Sequence, residues 1–532
     1  MSKAPTEVQV LIVGGAVTGL STAVFLARHG VSALVVERHP DTLSHPRSRG
    51  INPRTVEVYR QAGLESRIWA EASLATDFSK LQMIRARTLA AEEHFAGPTD
   101  SPDPSGEVSP CEWAPIDQDR LEHVLRETAG ELGAHLSFGT ELVSFEQDDD
   151  GVTALLRDQE SGDERTVRAR YLVAADGGRS PVRTGLGIEL DGPGEFATTV
   201  SVLFEADLSE AARGRPVGVC YLDEPAPSTI LFAHDGDKRW IFATPMPPGT
   251  TLETVTESQA VELVRAAIGV PDLAVRIVPQ LPAGGAKWLS FVIGAQVARE
   301  YRRGRVFLVG DAAHLVPPTG GFGASLAIQD AHNLAWKLVA VLDGSGGESL
   351  LDTYQAERQP VAWMTLQQTM AMMQDRTGAE GGDDGGLSPA DSYSTTVFGY
   401  RYSEGAPVLP RLLAGEPGTR APHVRLSRDG EFISSLDLYG AGPVLVTPSA
   451  GGAWEAAASA VASRLGVSLS VHRLGTGGLA DPTDSFPSRH GIAPDGAVLI
   501  RSDGFVSWRA ASAGEKPEQE LTEAVQRLLG RD

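Results

Sequence analysis

Cysteine is scarce in this chain, with two residues, Cys111 and Cys220, in 532. They cannot build a disulfide framework, and neither stands in a C-x-x-C pair or a His/Cys cluster of zinc spacing, so both are read as reduced thiols and no metal site is expected. Long hydrophobic runs are missing as well. No stretch reaches the roughly 18 unbroken apolar residues of a membrane span, and the polar segment from Met1 to Gln9 has no signal-peptide core. A cytoplasmic protein without a membrane partner is expected. Positive charge is also short: 46 Lys+Arg against 69 Asp+Glu leave a formal charge of −23. That balance removes the phosphate-neutralising term on which nucleic-acid binding rests. A small anionic ligand in a local pocket is still allowed.

What is present is a globular composition, 42% hydrophobic and 22% charged, in a chain long enough for about two to four domains. Gly 58 and Pro 34 mark it as loop-rich α/β. The chain opens with Val10-Leu-Ile-Val13, a run of the kind buried in a parallel sheet, and breaks at Gly14-Gly15-Ala16-Val17-Thr18-Gly19. A helical pattern follows from Leu20 to His29, Gly30 stops it, and Val31 to Val36 reads as a second strand ending at Glu37. This is a βαβ unit. Its turn sets a dinucleotide phosphate on a helix N-terminus, and Glu37 stands about 20 residues on, where a carboxylate accepts from ribose hydroxyls. The second glycine of G-x-G-x-x-G is Ala16 here, which weakens the fingerprint without erasing it.

Two later segments repeat the strand-then-corner pattern. Tyr171-Leu-Val-Ala-Ala-Asp176-Gly177 is followed by a basic turn to Arg183, and Arg305-Val-Phe-Leu-Val-Gly310-Asp311 runs into a Pro/Gly loop, Pro317 to Gly323, and a helix from about Ala324. Carboxylates that end buried parallel strands lie at the sheet edge where ligands bind. An Asp there accepts from ribityl hydroxyls, while loop amides and the next helix N-terminus face a pyrophosphate or an electron-rich ring.

These three motifs, in this order, resemble the class A FAD-dependent aromatic monooxygenases of the p-hydroxybenzoate hydroxylase fold over most of residues 8 to 370. The resemblance implies that Gly14, Gly15, Ala16 and Gly19, with Glu37 and Arg38, hold the ADP half of FAD. It implies that Asp176 and Gly177 serve both FAD and NADPH (or NADH), and that Gly310 and Asp311 contact the ribityl chain. Arg47 and Gln118 look like further FAD contacts, Pro318 looks like the proline near the reactive flavin carbon, and Gly320, Gly321, Gly323 and Ala324 supply the loop backbone. Many members read Gly-Gln-Gly-x-Asn-x-Gly here. This chain reads Gly321-Phe-Gly-Ala-Ser325-Leu-Ala327, so the usual Gln and Asn side-chain contacts are replaced or lost.

The expected fold is α/β: a Rossmann-like FAD-binding domain, an antiparallel-sheet substrate domain, and a C-terminal thioredoxin-like domain lacking C-x-x-C. FAD-binding segments are placed at 1–74, 111–190 and 291–377, the substrate sheet at 75–110 and 191–290, a linker at 378–398 and the last domain at 399–532. Alternating runs at Thr198–Phe204, Ser228–Phe232 and Arg239–Thr244 suggest the sheet. The linker rests on Glu-Gly-Gly-Asp-Asp-Gly-Gly. The last domain rests on strand-like segments from Val444 to Trp508 interleaved with helices at Trp454–Leu465 and Pro517–Leu529. Without paired cysteines it has no thiol redox chemistry, and a structural or dimer-stabilising role is its default.

By the same resemblance NAD(P)H reduces FAD, oxygen adds, and a C4a-hydroperoxyflavin hydroxylates a polycyclic phenolic, polyketide-type substrate. The partners are that aromatic molecule and molecular oxygen, with a homodimer left open. By resemblance to the anthracycline-type hydroxylases, Tyr221, Arg376 and Pro318 are the catalytic candidates, the first two looking like positions from which a hydroxyl or guanidinium polarises a phenol. Tyr221 can equally be a packed strand residue and Arg376 a solvated helix-end cation. Met370, Met372 and Met373 are pocket wall or simple helix packing, and His314 is more readily scaffold for its turn than an acid–base group. Rival readings are a Baeyer–Villiger or epoxidising flavin monooxygenase and a non-catalytic FAD-binding protein. A flavin halogenase is disfavoured because no Trp-x-Trp-x-Ile-Pro segment occurs.

Overall fold

The computed structural model describes residues 5–42, 48–72, 81–98, 106–234, 238–246, 249–251, 254–279, 287–377, 389–402 and 407–531. The apolar run that opens the chain becomes the strand Glu7–Val13 in the middle of a sheet. From one edge the order is Arg302–Arg303, Val306–Leu308, Glu164–Ala174, Glu7–Val13, Ala33–Glu37 and His135–Phe138. All neighbours are parallel except the first pair. An antiparallel hairpin, Thr140–Gln147 and Val152–Asp158, extends the sheet from the start of Glu164–Ala174. The helix Val17–Ala27 is buried along its whole length and packs against the helices Gln118–Glu131 and Gly323–Leu342, so the first crossover is a core element.

A second sheet of nine strands runs His314–Leu315, Trp288–Ala298, Leu190–Glu205, Arg239–Pro245, Thr229–Ala233, Val217–Leu222, Gln82–Ala86, Glu93–Pro98, with Arg276–Val278 attached to Leu190–Glu205. It is antiparallel apart from Val217–Leu222 beside Gln82–Ala86. The helix Glu257–Ile268, held by a Thr256/Gln259 capping box and ended by Gly269, covers one face. The strand expected at Thr198–Phe204 runs back to Leu190, because Gly192 lets it pass close to its neighbour: a Cβ there would lie 2.4 Å from the Ala295 carbonyl oxygen.

In the C-terminal part, Ser470–Arg473, Val444–Thr447, Ala497–Ile500 and Val506–Ala510 form a four-stranded sheet in that order, its first pair parallel and the others antiparallel. The helices Gly452–Leu465 and Pro517–Leu528 pack together beside it, and Trp454 meets Trp508 edge-on at 5.4 Å. Sequence reading missed a small sheet of Arg425–Arg428, Glu431–Ser434 and Leu479–Ala480. The linker reading needs correcting too. Residues 378–388 lie outside the described residues, but Pro389–Phe398 is a helix, and its Tyr393, Val397 and Phe398 pack with Phe322. The glycine-rich composition just before it masks this four-residue apolar spacing.

Buried ion pairs join this part to the helices around the first sheet. Arg501 reaches Glu357 at 2.6 and 2.8 Å and Asp503 at 3.0 and 2.8 Å, while Glu357 also accepts from Lys337 Nζ and Asn333 Nδ2, each at 2.7 Å. A second cluster sets Glu57 between Arg54 at 3.0 Å and Arg420 Nε at 2.8 Å, with the Ser109 hydroxyl donating at 2.6 Å.

Candidate active site

The glycine turn is explained by what it must avoid. Gly14 has φ 108°, and a Cβ on it would sit 2.2 Å from the Ala175 carbonyl oxygen; on Gly19 it would sit 1.9 Å from the Gly14 oxygen. A Cβ on Gly15 would meet Glu37 Cβ at 2.7 Å. The chain therefore folds tightly onto both neighbouring strand ends. Ala16, the departure from the fingerprint, is exposed at the N-cap of Val17–Ala27, so its methyl meets no packing obstacle inside the fold. Ala16 itself makes no cap and no acid stands in the first turn, but Glu122 Oε1 from a neighbouring helix accepts the Val17 amide at 3.0 Å, so the amides after Val17 are the ones left for an anion. Glu37 Oε2 accepts from the Gly15 amide at 2.8 Å and Oε1 from the His39 amide at 3.0 Å, while Arg38 is exposed beside them.

The other two corners meet this turn. Ala175 N donates to Val13 O at 2.8 Å and Val309 N to Ala174 O at 3.0 Å. A Cβ on Gly310 would lie 2.9 Å from Thr18 Oγ1. Arg183 ties the Asp-Gly segment to the Gly-Asp segment, donating to Gly178 O at 2.8 Å and Ala312 O at 2.9 Å. Glu37, Asp176 and Asp311 thus stand at the ends of strands in one parallel sheet, at the same edge. Asp176 accepts from Val182 N at 3.1 Å, and its other oxygen is buried without a described partner; burial raises its carboxyl above the usual range. Gly177, at φ 83°, turns the chain with open space around it. Asp311 is exposed in a single 3-10 turn.

Beyond it, Pro318 is exposed and caps the turn Thr319–Gly321, where Gly320 and Gly321 take φ 82° and 69°. Gly323 and Ala324 begin a 20-residue helix with no side-chain cap and no acid in its first turn. The Ser325 hydroxyl accepts from Asn52 N at 3.1 Å and so ties the loop to another segment. Gln118 starts the helix Gln118–Glu131; its Nε2 donates to Glu122 Oε1 at 2.7 Å, and the same oxygen takes the Val17 amide at 3.0 Å. Sequence reasoning misses Glu122, and it misses the cluster beside Gln118 in which buried Asp117 lies 2.8 Å from Arg49 Nε and 3.1 Å from His234 Nδ1. A capping-position Asp before the helix marks Asp117 in the sequence, but nothing there marks Arg49 or His234 as its partners. Arg47 lies outside the described residues.

His314 is buried, with Nε2 2.6 Å from Asp330, which also pairs with Arg358 Nε at 2.7 Å. That makes it part of the scaffold. Met370 packs on the main core and Met372 beside Phe322 and Trp113. Tyr221 is half-buried on Val217–Leu222, facing away from the core under Glu257–Ile268. The helix Thr353–Thr377 carries Arg376, whose side chain lies outside the described residues. Among the described residues no group of His, Cys, Asp and Glu is placed to hold a metal ion, and no helix is long and apolar enough to cross a membrane.

A glycine cradle that a Cβ would fill, two helix N-termini whose own N-cap residues make no cap, and carboxylates at one sheet edge fit a flavin dinucleotide. Residues 7–369 match the FAD binding domain family and residues 414–532 the aromatic-ring hydroxylase C-terminal family, and the chain belongs to the FAD-dependent aromatic-ring hydroxylases. It is 42% identical to tetracenomycin A2 monooxygenase-dioxygenase of Streptomyces glaucescens over 99% of this chain and 97% of that one. It is 41% identical to a 4-methyl-5-nitrocatechol 5-monooxygenase of a Burkholderia species over 99% and 98%. The solved ternary complex of aklavinone-11 hydroxylase with FAD and aklavinone superposes with a TM-score of 0.90 at 36% identity, covering 99% of this chain and all of that one.

Proposed function

We propose that this enzyme hydroxylates a polycyclic phenolic, polyketide-type ring, with FAD lying across the three strand-end corners. The packing of Ala175 against Gly14 and of Gly310 against Thr18 of the same turn carries the reading. In it the amides after the Glu122-bound Val17 N–H at the start of Val17–Ala27 hold the pyrophosphate, Glu37 takes the ribose and Asp311 the ribityl chain. Asp176, with an oxygen left unpaired, accepts a further hydroxyl. When bound, FAD reduced by NADPH or NADH supplies the chemistry that puts one atom of oxygen on the ring and releases the other as water. The rest falls to the chain. The N-terminus of Gly323–Leu342 favours negative charge on the ring system in front of it, and the Pro318–Gly323 loop presents backbone rather than bulky groups there. The half-buried sheet face shields the reacting carbon from bulk water, which otherwise diverts activated oxygen to peroxide.

Tyr221 polarises the substrate phenol in this assignment, and Arg376 is the second candidate for that task. FAD segments are taken as 1–74, 111–190 and 291–377 with the sheet domain at 75–110 and 191–290. The C-terminal domain is read as thioredoxin-like from its strand order and helix placement, with a structural role. The test is direct. Purified protein should be yellow, release FAD on denaturation, and oxidise NADPH faster when a hydroxylated polycyclic aromatic is added. Product formed under oxygen-18 should carry one labelled hydroxyl on a ring carbon. A labelled ester or lactone would instead favour Baeyer–Villiger insertion, and flavin release without any aromatic-stimulated oxidation would leave only a FAD binder.

A further inference from the structure

The nine-stranded sheet has two faces with different surroundings. Ile84, Val202, Cys220, Leu231 and Phe242 point to the helix Glu257–Ile268 and share one packed core. Their strand neighbours point the other way, and the register aligns Ser201, Ala243, Ile230, Tyr221, Arg85 and Phe95 in one cross-strand row. Beside it runs a second row containing Leu203, Ile241, Phe232 and Val219. Leu203, Ile241 and Ala243 are buried and Ile230 and Phe232 half-buried, yet none belongs to a packed core of the described residues. The half-buried part of this face, Ile230, Phe232, Tyr221 and Arg85, is the part still open to a ligand.

Arg85 is the one charged residue in these two rows. It is half-buried between Tyr221 and Phe95 and makes no hydrogen bond or ion pair with any described residue. Arg87, just past the strand end, is exposed and lies 3.9 Å from Glu224. A guanidinium partly removed from water without an acceptor is unfavourable, and its planar fork suits an anionic oxygen. In the sheet order Arg85 lies beyond Tyr221 from Trp288–Ala298, the strand paired with His314–Leu315 that leads into the Pro318 loop. It therefore stands on the side of Tyr221 away from that strand.

Building on the proposed hydroxylase function, we propose that Arg85 anchors the substrate by donating to an anionic oxygen, phenolate or carboxylate, on the ring end away from the reacting carbon. A site of this kind selects acidic polycycles over neutral ones and sets binding more than turnover. The probe set is rhein, a dihydroxyanthraquinone carboxylic acid, with its methyl ester and its dimethyl ether, titrated into FAD-loaded wild type, Arg85→Ala and Arg85→Lys while flavin absorbance is followed. Arg85→Ala is expected to weaken rhein binding about 10- to 100-fold, the range of a charge-assisted hydrogen bond, with Arg85→Lys between. The ester and ether arms tell which oxygen is held: the probe lacking it binds wild type and Arg85→Ala equally. Rhein-stimulated NADPH oxidation should show a raised KM and a smaller change in kcat. Equal rhein affinities in wild type and Arg85→Ala overturn the assignment, as does a change confined to the KM for NADPH. Wild type that shows no aromatic-stimulated oxidation at all sinks the hydroxylase reading itself, a result separable from failure of Arg85 alone.

Discussion

Removing Arg501 tests how the C-terminal part is held. Its guanidinium makes four hydrogen bonds of 2.6 to 3.0 Å to Glu357 and Asp503 in a buried setting. Breaking such a pair from one side costs about 3 to 5 kcal/mol, because a carboxylate is left buried without its partner. Glu357 keeps Lys337 and Asn333, so Arg501→Ala should fall near the lower end, about 3 kcal/mol. With an m value of about 3 kcal/mol/M this moves a urea midpoint down by about 1 M, followed by tryptophan emission and by flavin fluorescence. Arg464→Ala, which removes an exposed pair with Glu518, should cost under about 1 kcal/mol.

The pH dependence has a definite sign. Burial opposes ionisation of Glu357, but Arg501 and Lys337 outweigh it and bring the carboxyl down to about 2. Its stabilisation is complete above the unfolded carboxyl range and is lost as pH falls through that range towards 2. Lys337 runs the other way, since burial lowers it to about 8 despite Glu357. An unfolded lysine still holds its proton between about 8 and 10.5, so this residue makes stability rise with pH across that interval. Arg501→Ala should show less acid-side loss than wild type. A midpoint shift no larger than that of Arg464→Ala would refute the account of the buried network.

Three further outcomes are expected. Asp311→Ala should weaken FAD binding about 10-fold or more, read by flavin fluorescence titration, with little change in apoprotein stability because the residue is exposed. Gly14→Ala should abolish recovery of yellow protein, since its Cβ would strike the Ala175 carbonyl, whereas Gly177→Ala, in open space, should cost only the left-handed backbone penalty of about 1 to 2 kcal/mol; the ratio of flavin to protein absorbance distinguishes them. Cys111 and Cys220 should resist a thiol reagent at pH 8 in the native protein and react as two equivalents after denaturation, because both are buried and burial pushes the Cys220 thiol up to about 12.

Local chemistry by itself determines the three corners. A glycine that must take positive φ against a neighbouring carbonyl, a buried run ending in a carboxylate and a helix opening without a cap are properties of a few adjacent residues, so Gly14, Asp176 and Asp311 are readable in order along the chain. Pairing across long separations is not readable in this way. Nothing near Arg420 or Arg501 announces that each is buried against Glu57 or Glu357, because a lone arginine in sequence looks like a solvated surface group. The same holds for Asp117 meeting His234 and for Arg85 standing beside Tyr221. Sheet register and helix docking make those neighbours, and they depend on the summed packing of whole elements rather than on the residues themselves.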